Sequence, residues 1–340
     1  MISIATDELL NGVSWCLFIR PLLGNGRSGL LMDGGFIMPM SVRVYLSGNT
    51  EHDRVLRAFY EGCPSPNKAL ISGWRHEPSD VAVIFGVFKS RVPTSWPRGR
   101  IFSQQRKNNL DVVVLETGYI NRGDGENHHY AAGINGLNGR ADFRNADMPD
   151  DRAMILRRDY GLRLLRWREK GRHILLCGQV PWDASVDHSD HIKWLAETVA
   201  ELRRRAPKRK IRFRPHPMVK LKQIEGCEYS EGPVWQDLQD AHAVVTFNSN
   251  MGVDATIYGV PAICVDEGSM VWNLCSRLLA EIENPMMLDR ESWVNSIAYT
   301  QWTLDEMRGG ATWSHLFRLP NPTSGQQNGP QSKSALIQDL

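Results

Sequence analysis

Two α/β lobes, each built on a doubly wound parallel sheet, are predicted by this sequence, and three observations predict them. The chain has 340 residues, more than one ordinary core holds and enough for two domains and a tail. Short β-branched runs recur in both halves, as parallel strands buried on both faces do. In the second half these runs alternate with helix-periodic segments, the rhythm of a βαβ fold.

The elements follow in order. The first forty residues, with Gly24-Asn25-Gly26 and Asp33-Gly34-Gly35, read as irregular structure, because neither cluster fits a G-x-G-x-x-G turn behind a strand. Val42 to Leu46, Val81 to Phe85 and Asp111 to Leu115 read as strands, and Thr117 to Asp151, rich in Gly, Asn and Asp, as a long functional loop. In the second half, His173 to Cys177, Lys210 to Phe213, Ala243 to Phe247 and Pro261 to Val265 read as strands. The first of these precedes a helix with Ile192, Leu195, Val199 and Leu202 on one face, whose C-terminal dipole favours Arg203, Arg204 and Arg205. A second helix spans Ser249 to Tyr258.

Trp293, Ile297 and Thr300 mark a further helix. Thr303-Leu304-Asp305-Glu306 has capping-box form, Gly309-Gly310 supplies a stop, and helix ends at about Phe317. The last twenty residues, dominated by Pro, Ser, Gln, Asn and Gly, have the composition of disorder. The expected division is 1–165 for a first lobe, 166–290 for a second, 291–318 for closing helices and 319–340 for a tail.

Composition excludes several classes. With 42% hydrophobic and 23% charged residues the chain is neither disordered nor fibrous. Its apolar runs, such as Val81 to Val87, fall well short of the roughly 18 residues of a membrane span. The patch from Val13 to Ile19 lacks the flanks and cleavage site of a signal peptide. Six scattered cysteines, with no C-x-x-C pair, suit a reduced cytoplasm and no structural zinc. The net charge of +2 conceals a basic run comprising Arg91, Arg98, Arg100, Arg106 and Lys107. Such a run attracts phosphate or keeps a loop solvated.

Ligands of doubly wound sheets bind beyond the carboxyl ends of the strands. Three polar segments fall there: Gly178-Gln179, Arg214-Pro215-His216-Pro217 and Asn248-Ser249-Asn250. Arg214 forks onto phosphate oxygens and His216 donates to them, while Ser249 is placed to cap a helix whose first amides favour an anion. Each segment alone is also compatible with a rigid turn or an ordinary cap. Their convergence on one sheet edge points to an anionic ligand.

The stretch Ala243 to Ile263, with the Arg214–Pro217 turn and Gly178 to Ser185, resembles the donor domain of capsule-polysaccharide-type sugar transferases. It is also similar to bacteriophage glycosyltransferases acting on hypermodified DNA, and Trp293 to Leu316, around Tyr299 to Trp302, is closer to that branch. The resemblance, over roughly residues 172 to 316, implies a GT-B fold: two Rossmann-like lobes facing a cleft, with C-terminal helices crossing back. It implies that Gln179, Arg214, His216, Ser249 and Asn250 face the diphosphate of a nucleotide-sugar donor, a UDP-sugar favoured. Asp254 would steady its helix or reach the sugar.

The first half matches less clearly, so its catalytic group is sought by chemistry. Removing a proton from an acceptor hydroxyl needs a carboxylate or histidine. Glu116 at a strand end has the best placement, followed by Asp124 and by His128 of the His128-His129 pair. Adjacent histidines on a strand point to opposite faces, and no essential metal or other cofactor is expected. The leading acceptor is a 5-hydroxymethylpyrimidine, hydroxymethylcytosine favoured, in duplex DNA of a phage-infected cytoplasm. The basic run would meet its phosphates, and Trp74, Trp96 or Phe102 would fill the gap left by a flipped base. The alternatives are a surface-polysaccharide transferase and a non-catalytic binding module. Oligomeric state is left open.

Overall fold

The structure, a computed structural model, describes residues 40–73, 75–86, 97–186, 189–219 and 224–317. The early glycine clusters, Cys16, Trp74, Arg91, Trp96 and the expected tail lie outside these residues. The first lobe begins with β1 (Val42–Tyr45), α1 (Thr50–Gly62), β2 (Lys68–Ile71), β3 (Val81–Phe85) and α2 (Pro97–Lys107). It continues with β4 (Asp111–Thr117), β5 (Tyr130–Ile134) and α3 (Asp151–Asp159). The second lobe holds β6 (His173–Cys177), α4 (His191–Arg205), β7 (Lys210–Arg214) and β8 (Glu228–Tyr229), then α5 (Val234–Gln239), β9 (Ala241–Thr246), α6 (Met251–Ile257) and β10 (Ala262–Cys264). The chain then returns through α7 (Glu291–Ala298), β11 (Gln301–Trp302), α8 (Leu304–Arg308) and α9 (Ala311–Phe317).

The second sheet has the order β10-β9-β6-β7-β8 and is parallel throughout. Its central strands bury every residue, which is why they read as unbroken apolar runs. Helix α4 starts at Asp190, whose carboxylate accepts from the Lys193 amide, and buries Leu195, Val199 and Leu202. Ile192, expected on that face, is 48% exposed, and His191 takes the buried place before it.

The first sheet has the order β11-β5-β4-β3-β1-β2. Strands β2, β1, β3 and β4 are parallel, whereas β5 runs antiparallel to β4 and β11 antiparallel to β5. Strand β5 lies inside the segment expected to be a loop. Its Ala131-Ala132-Gly133 centre has little intrinsic β preference, and tertiary pairing makes it a strand. Gly133 is required there, because a Cβ would meet that of Ala141 at 2.7 Å. The basic run, read as a solvated or phosphate-attracting stretch, contains helix α2.

The closing elements cross back onto the first lobe. Leu304, Met307, Trp313 and Leu316 share one apolar core with Val55, Phe59, Val83 and Leu115. The capping box is formed, with Thr303 Oγ1 accepting from the Glu306 amide and the Glu306 carboxylate accepting from the Thr303 amide. Helices α1 and α8 touch at Gly62, where any Cβ would fall 1.9 Å from the Met307 carbonyl oxygen. A second apolar core joins the lobes, combining Tyr119, Ile120 and Phe143 with Val253, Ala262 and Val271 and with Val294 and Ile297 of α7.

Candidate functional site

The carboxyl ends of the two sheets face one cleft of about 290 Å³, at the small end of ligand sites. The first lobe lines it with Glu116 and Thr117 at the end of β4, Tyr119 and Arg122 on the following loop, and Leu137 and Asn138 beyond β5. The second lobe contributes Gln179, Asp183 and Ser185 after β6, His216 after β7, Asn248, Ser249 and Asn250 after β9, and Met270.

On the second-lobe side an amide network fixes the loops. The Gln179 side chain donates to Asn248 Oδ1 at 2.8 Å and accepts from the Asn248 backbone amide at 3.0 Å. Asn248 Nδ2 in turn donates to the Ser185 carbonyl and to Asp266, both at 2.7 Å. The Gln179 amide is held by Nε2 of His191, a ring that burial keeps neutral by lowering its pKa to about 4. Asp183 accepts from the Ser185 amide at 2.8 Å and from its hydroxyl at 2.7 Å. The Nδ1 atom of His216 accepts from the Met218 amide at 3.2 Å. Burial lowers the His216 pKa, with Asp183 opposing, so the ring is neutral at neutral pH and its proton sits on Nε2.

Ser249 stands two residues before α6, and its hydroxyl accepts from the Met251 amide at 3.2 Å. Asn250, at the cap position, donates instead to the Tyr119 carbonyl across the cleft, at 3.1 Å. Asp254 makes a two-point ion pair with Arg122 of the first lobe, at 2.6 and 2.8 Å. Gly178 packs against the Phe213 ring. Arg214 lies behind the rim, and its Nη1 donates to Asp237 at 2.6 Å and to the Gly232 carbonyl at 2.7 Å.

On the first-lobe side Glu116 accepts from the Thr117 amide at 2.9 Å. Burial raises its pKa above the ordinary carboxyl range and the Asp183 charge adds to this, while the Thr117 amide and Arg98 pull the other way. Arg98 turns inward and donates to the Phe85 carbonyl. Arg106 donates to the Leu110 carbonyl, leaving Arg100 and Lys107 exposed with it on the outer side of α2. Asp124 and His128 do not line the cleft. Asp124 exerts its charge on His52, and the His128 ring lies over Gly123.

Sequence reasoning passed over Asp183, Ser185 and Arg122 as site residues, although Asp183 and Ser185 follow β6 just as Gln179 does, and it set Asn248 at the rim without giving it a role. It also passed over Gln301, whose fully buried side chain accepts from the Tyr119 and Ile120 amides and donates to the Ile120 carbonyl. The last strand thereby pins the loop that floors the cleft.

No family model matches the sequence, and no curated protein sequence matches it. Among the similar solved structures are two from Thermosulfurimonas dismutans KpsC. Its beta Kdo 2,4 transferase aligns over 76% of this chain and 90% of its own, with a TM-score of 0.52 and 14% identity. Its beta Kdo 2,7 transferase covers 81% of this chain and 98% of its own, with a TM-score of 0.46 and 16% identity. The fold is the two-lobed GT-B fold expected from the sequence.

The cleft thus sets two carboxylates from opposite lobes against one space, one raised in pKa by burial and one fixed by a serine. Environments that differ in this way separate proton transfer from charge stabilisation. Around them stand neutral donors: an imidazole N–H, a hydroxyl and amides. Among the described residues no group of three or more His, Cys, Asp or Glu is placed to hold a metal ion, and no helix is long and apolar enough to cross a membrane.

Proposed function

We propose that the chain is a glycosyltransferase that binds a nucleotide-activated sugar on its second lobe and transfers the sugar to a hydroxyl held against its first. The observation that carries this reading is the pairing of Glu116 and Asp183 across a cleft at the carboxyl ends of both sheets. As ionised carboxylate, Glu116 takes the proton of the acceptor hydroxyl. The acceptor oxygen forms its bond to the anomeric carbon as the bond from that carbon to the phosphate oxygen breaks, and the electron pair leaves with the phosphate. Asp183 stabilises the positive charge that builds on the sugar. The Nε2–H of His216, with Ser249, faces the departing phosphate.

The lining also bears on the donor. Arg122, the one guanidinium among the described lining residues, is already engaged by Asp254, and His216 is neutral. Uncharged donors compensate a singly charged phosphodiester, as in a CMP-sugar, more completely than the diphosphate of a UDP-sugar. Arg214, bound to Asp237, serves as a support of the loop after β7.

For the acceptor we favour a saccharide hydroxyl, as in capsule or surface polysaccharide synthesis. One neighbour sharing this fold is a beta Kdo 2,4 transferase, and Arg98 and Arg106 of the basic run are occupied within the lobe. A hydroxymethylated pyrimidine in DNA is the second reading, favoured by exposed Arg100 and Lys107 on the helix that carries Arg98. The test is incubation with CMP- and UDP-sugars, each with a Kdo-containing oligosaccharide or hydroxymethylated duplex DNA, followed by mass analysis and product NMR. Transfer to the saccharide from a CMP-sugar supports the first reading, and transfer to DNA replaces its acceptor. Retention at the anomeric centre would make Asp183 a nucleophile, and inversion a charge stabiliser. No sugar loss from any donor would refute the reaction class.

A further inference from the structure

One residue of the basic run sits where a surface contact has no reason to be. Strands β3 and β4 are parallel neighbours with Phe85 beside Leu115, and the Gly86 amide donates to the Leu115 carbonyl at 2.8 Å. This places Gly86 alongside Glu116. Gly86 has φ of +67°, and a Cβ there would lie 3.3 Å from Arg98 Nη1 and 3.3 Å from Glu116 Oε2. Guanidinium and carboxylate therefore converge over the face that only glycine leaves open. Arg98 comes from the first turn of α2 and is anchored by donation to the Phe85 carbonyl.

We propose that Arg98 is a positioning residue for the reaction inferred above: set across Gly86 from Glu116, its guanidinium stabilises the ionised form of that carboxylate at the cleft. This rests on that reading only for what Glu116 does. The pair needs such a cation, since Glu116 is half-buried at the cleft and faces a second negative group. Asp183 approaches from the loop after β6 and the Tyr119 hydroxyl lies on Glu116's own loop, while Arg98 is faced from α1 by His52. Burial and Asp183 favour the protonated acid, and Arg98 is the charge that opposes them. An arginine suits this place because it stays charged when desolvated.

The test follows the Glu116 carboxyl carbon by ¹³C NMR across a pH titration, its signal assigned by loss in Glu116→Gln. In Arg98→Gln the midpoint moves upward by about one unit or more, and the rising limb of the kcat profile moves with it while donor affinity holds. Arg98→Lys keeps the charge and loses the planar fork, so its midpoint stays near wild type while kcat falls across the profile. An unchanged Glu116 midpoint in folded Arg98→Gln overturns the proposal. Should that variant not fold, an Arg98→Lys kcat profile superposing on wild type overturns it instead. If the wild-type protein transfers no sugar, the functional reading fails, while the carboxyl titration still decides the role of Arg98.

Discussion

The two lobes meet the same cleft with different chemistry. The second lobe presents mainly groups that donate without carrying net charge, fixed by a network running from His191 through Gln179 and Asn248 to Asp266. The first lobe presents a carboxyl group whose ionisation is suppressed by burial and restored in part by a cation. On the proposed reading, the difference suits one lobe to hold an anion at low cost and the other to exchange a proton. A holding site wants many satisfied, neutral contacts, whereas a proton-exchanging site wants one group near the edge of ionisation.

The sharpest way to break this division is Glu116→Gln. It should lower transfer by about 10²- to 10⁴-fold with donor affinity unchanged in calorimetry, and an equal loss of affinity would show that Glu116 belongs to the holding half. The same variant has a stability signature. A carboxyl group with a raised pKa contributes most below the ordinary glutamate range, and that contribution is lost as pH rises through the folded value. Glu116→Gln should therefore gain thermal stability over wild type on the alkaline side of that window and show no gain at acid pH. Melting curves at paired pH values decide it.

Next in size is the support behind the rim. Arg214→Ala strands the buried Asp237 carboxylate, for which Arg212 at 3.4 Å is a weaker partner. We expect a loss of about 2–3 kcal/mol of folding stability, read by urea denaturation. A specific loss of donor affinity in a fully stable variant would instead move Arg214 into the cleft. For His216→Ala the expectation reverses: a loss of about 1–3 kcal/mol in donor binding with stability close to wild type. The smallest effect is expected at the far edge of the second sheet. Lys210→Ala removes an exposed pair with Glu228 and should shift stability by less than about 1 kcal/mol, with transfer untouched.

How much of this was legible in the sequence also differs between the lobes. Strands β6, β7, β9 and β10 and helix α4 carry their own local signals, in apolar runs and helical spacing, and their boundaries were read to within a few residues. So were the capping box and the glycine stop of α8. In the first lobe, β5 is two alanines and a glycine between a tyrosine and an isoleucine, and β11 is two residues long. They exist because β11 pairs with β5 and β5 with β4, contacts between separate segments that no local window contains. The site shows the same limit. Gln179, His216, Ser249 and Asn250 stand out as candidates because they follow strands, and they do line the cleft, but the partners that would decide their roles lie on other segments. Arg98 was placed on the surface because a run of bases looks like one, and only the three-dimensional proximity of Gly86 and Glu116 reveals its other face.

The pairing of β11 with β5 also sets a timetable. The other strands of the first sheet lie between Val42 and Ile134, yet the strand that covers β5 and the Gln301 side chain that pins the Tyr119 loop are made only when synthesis reaches residue 302. All five described strands of the second sheet, from His173 to Cys264, have by then been synthesised. The lobe that begins first therefore finishes last, and until it does the nascent chain carries an uncovered strand edge along β5, open to mispairing. Assembly of the cleft waits for that final strand, so a chain that stalls after the second lobe holds a finished anion-holding half beside an unfinished floor.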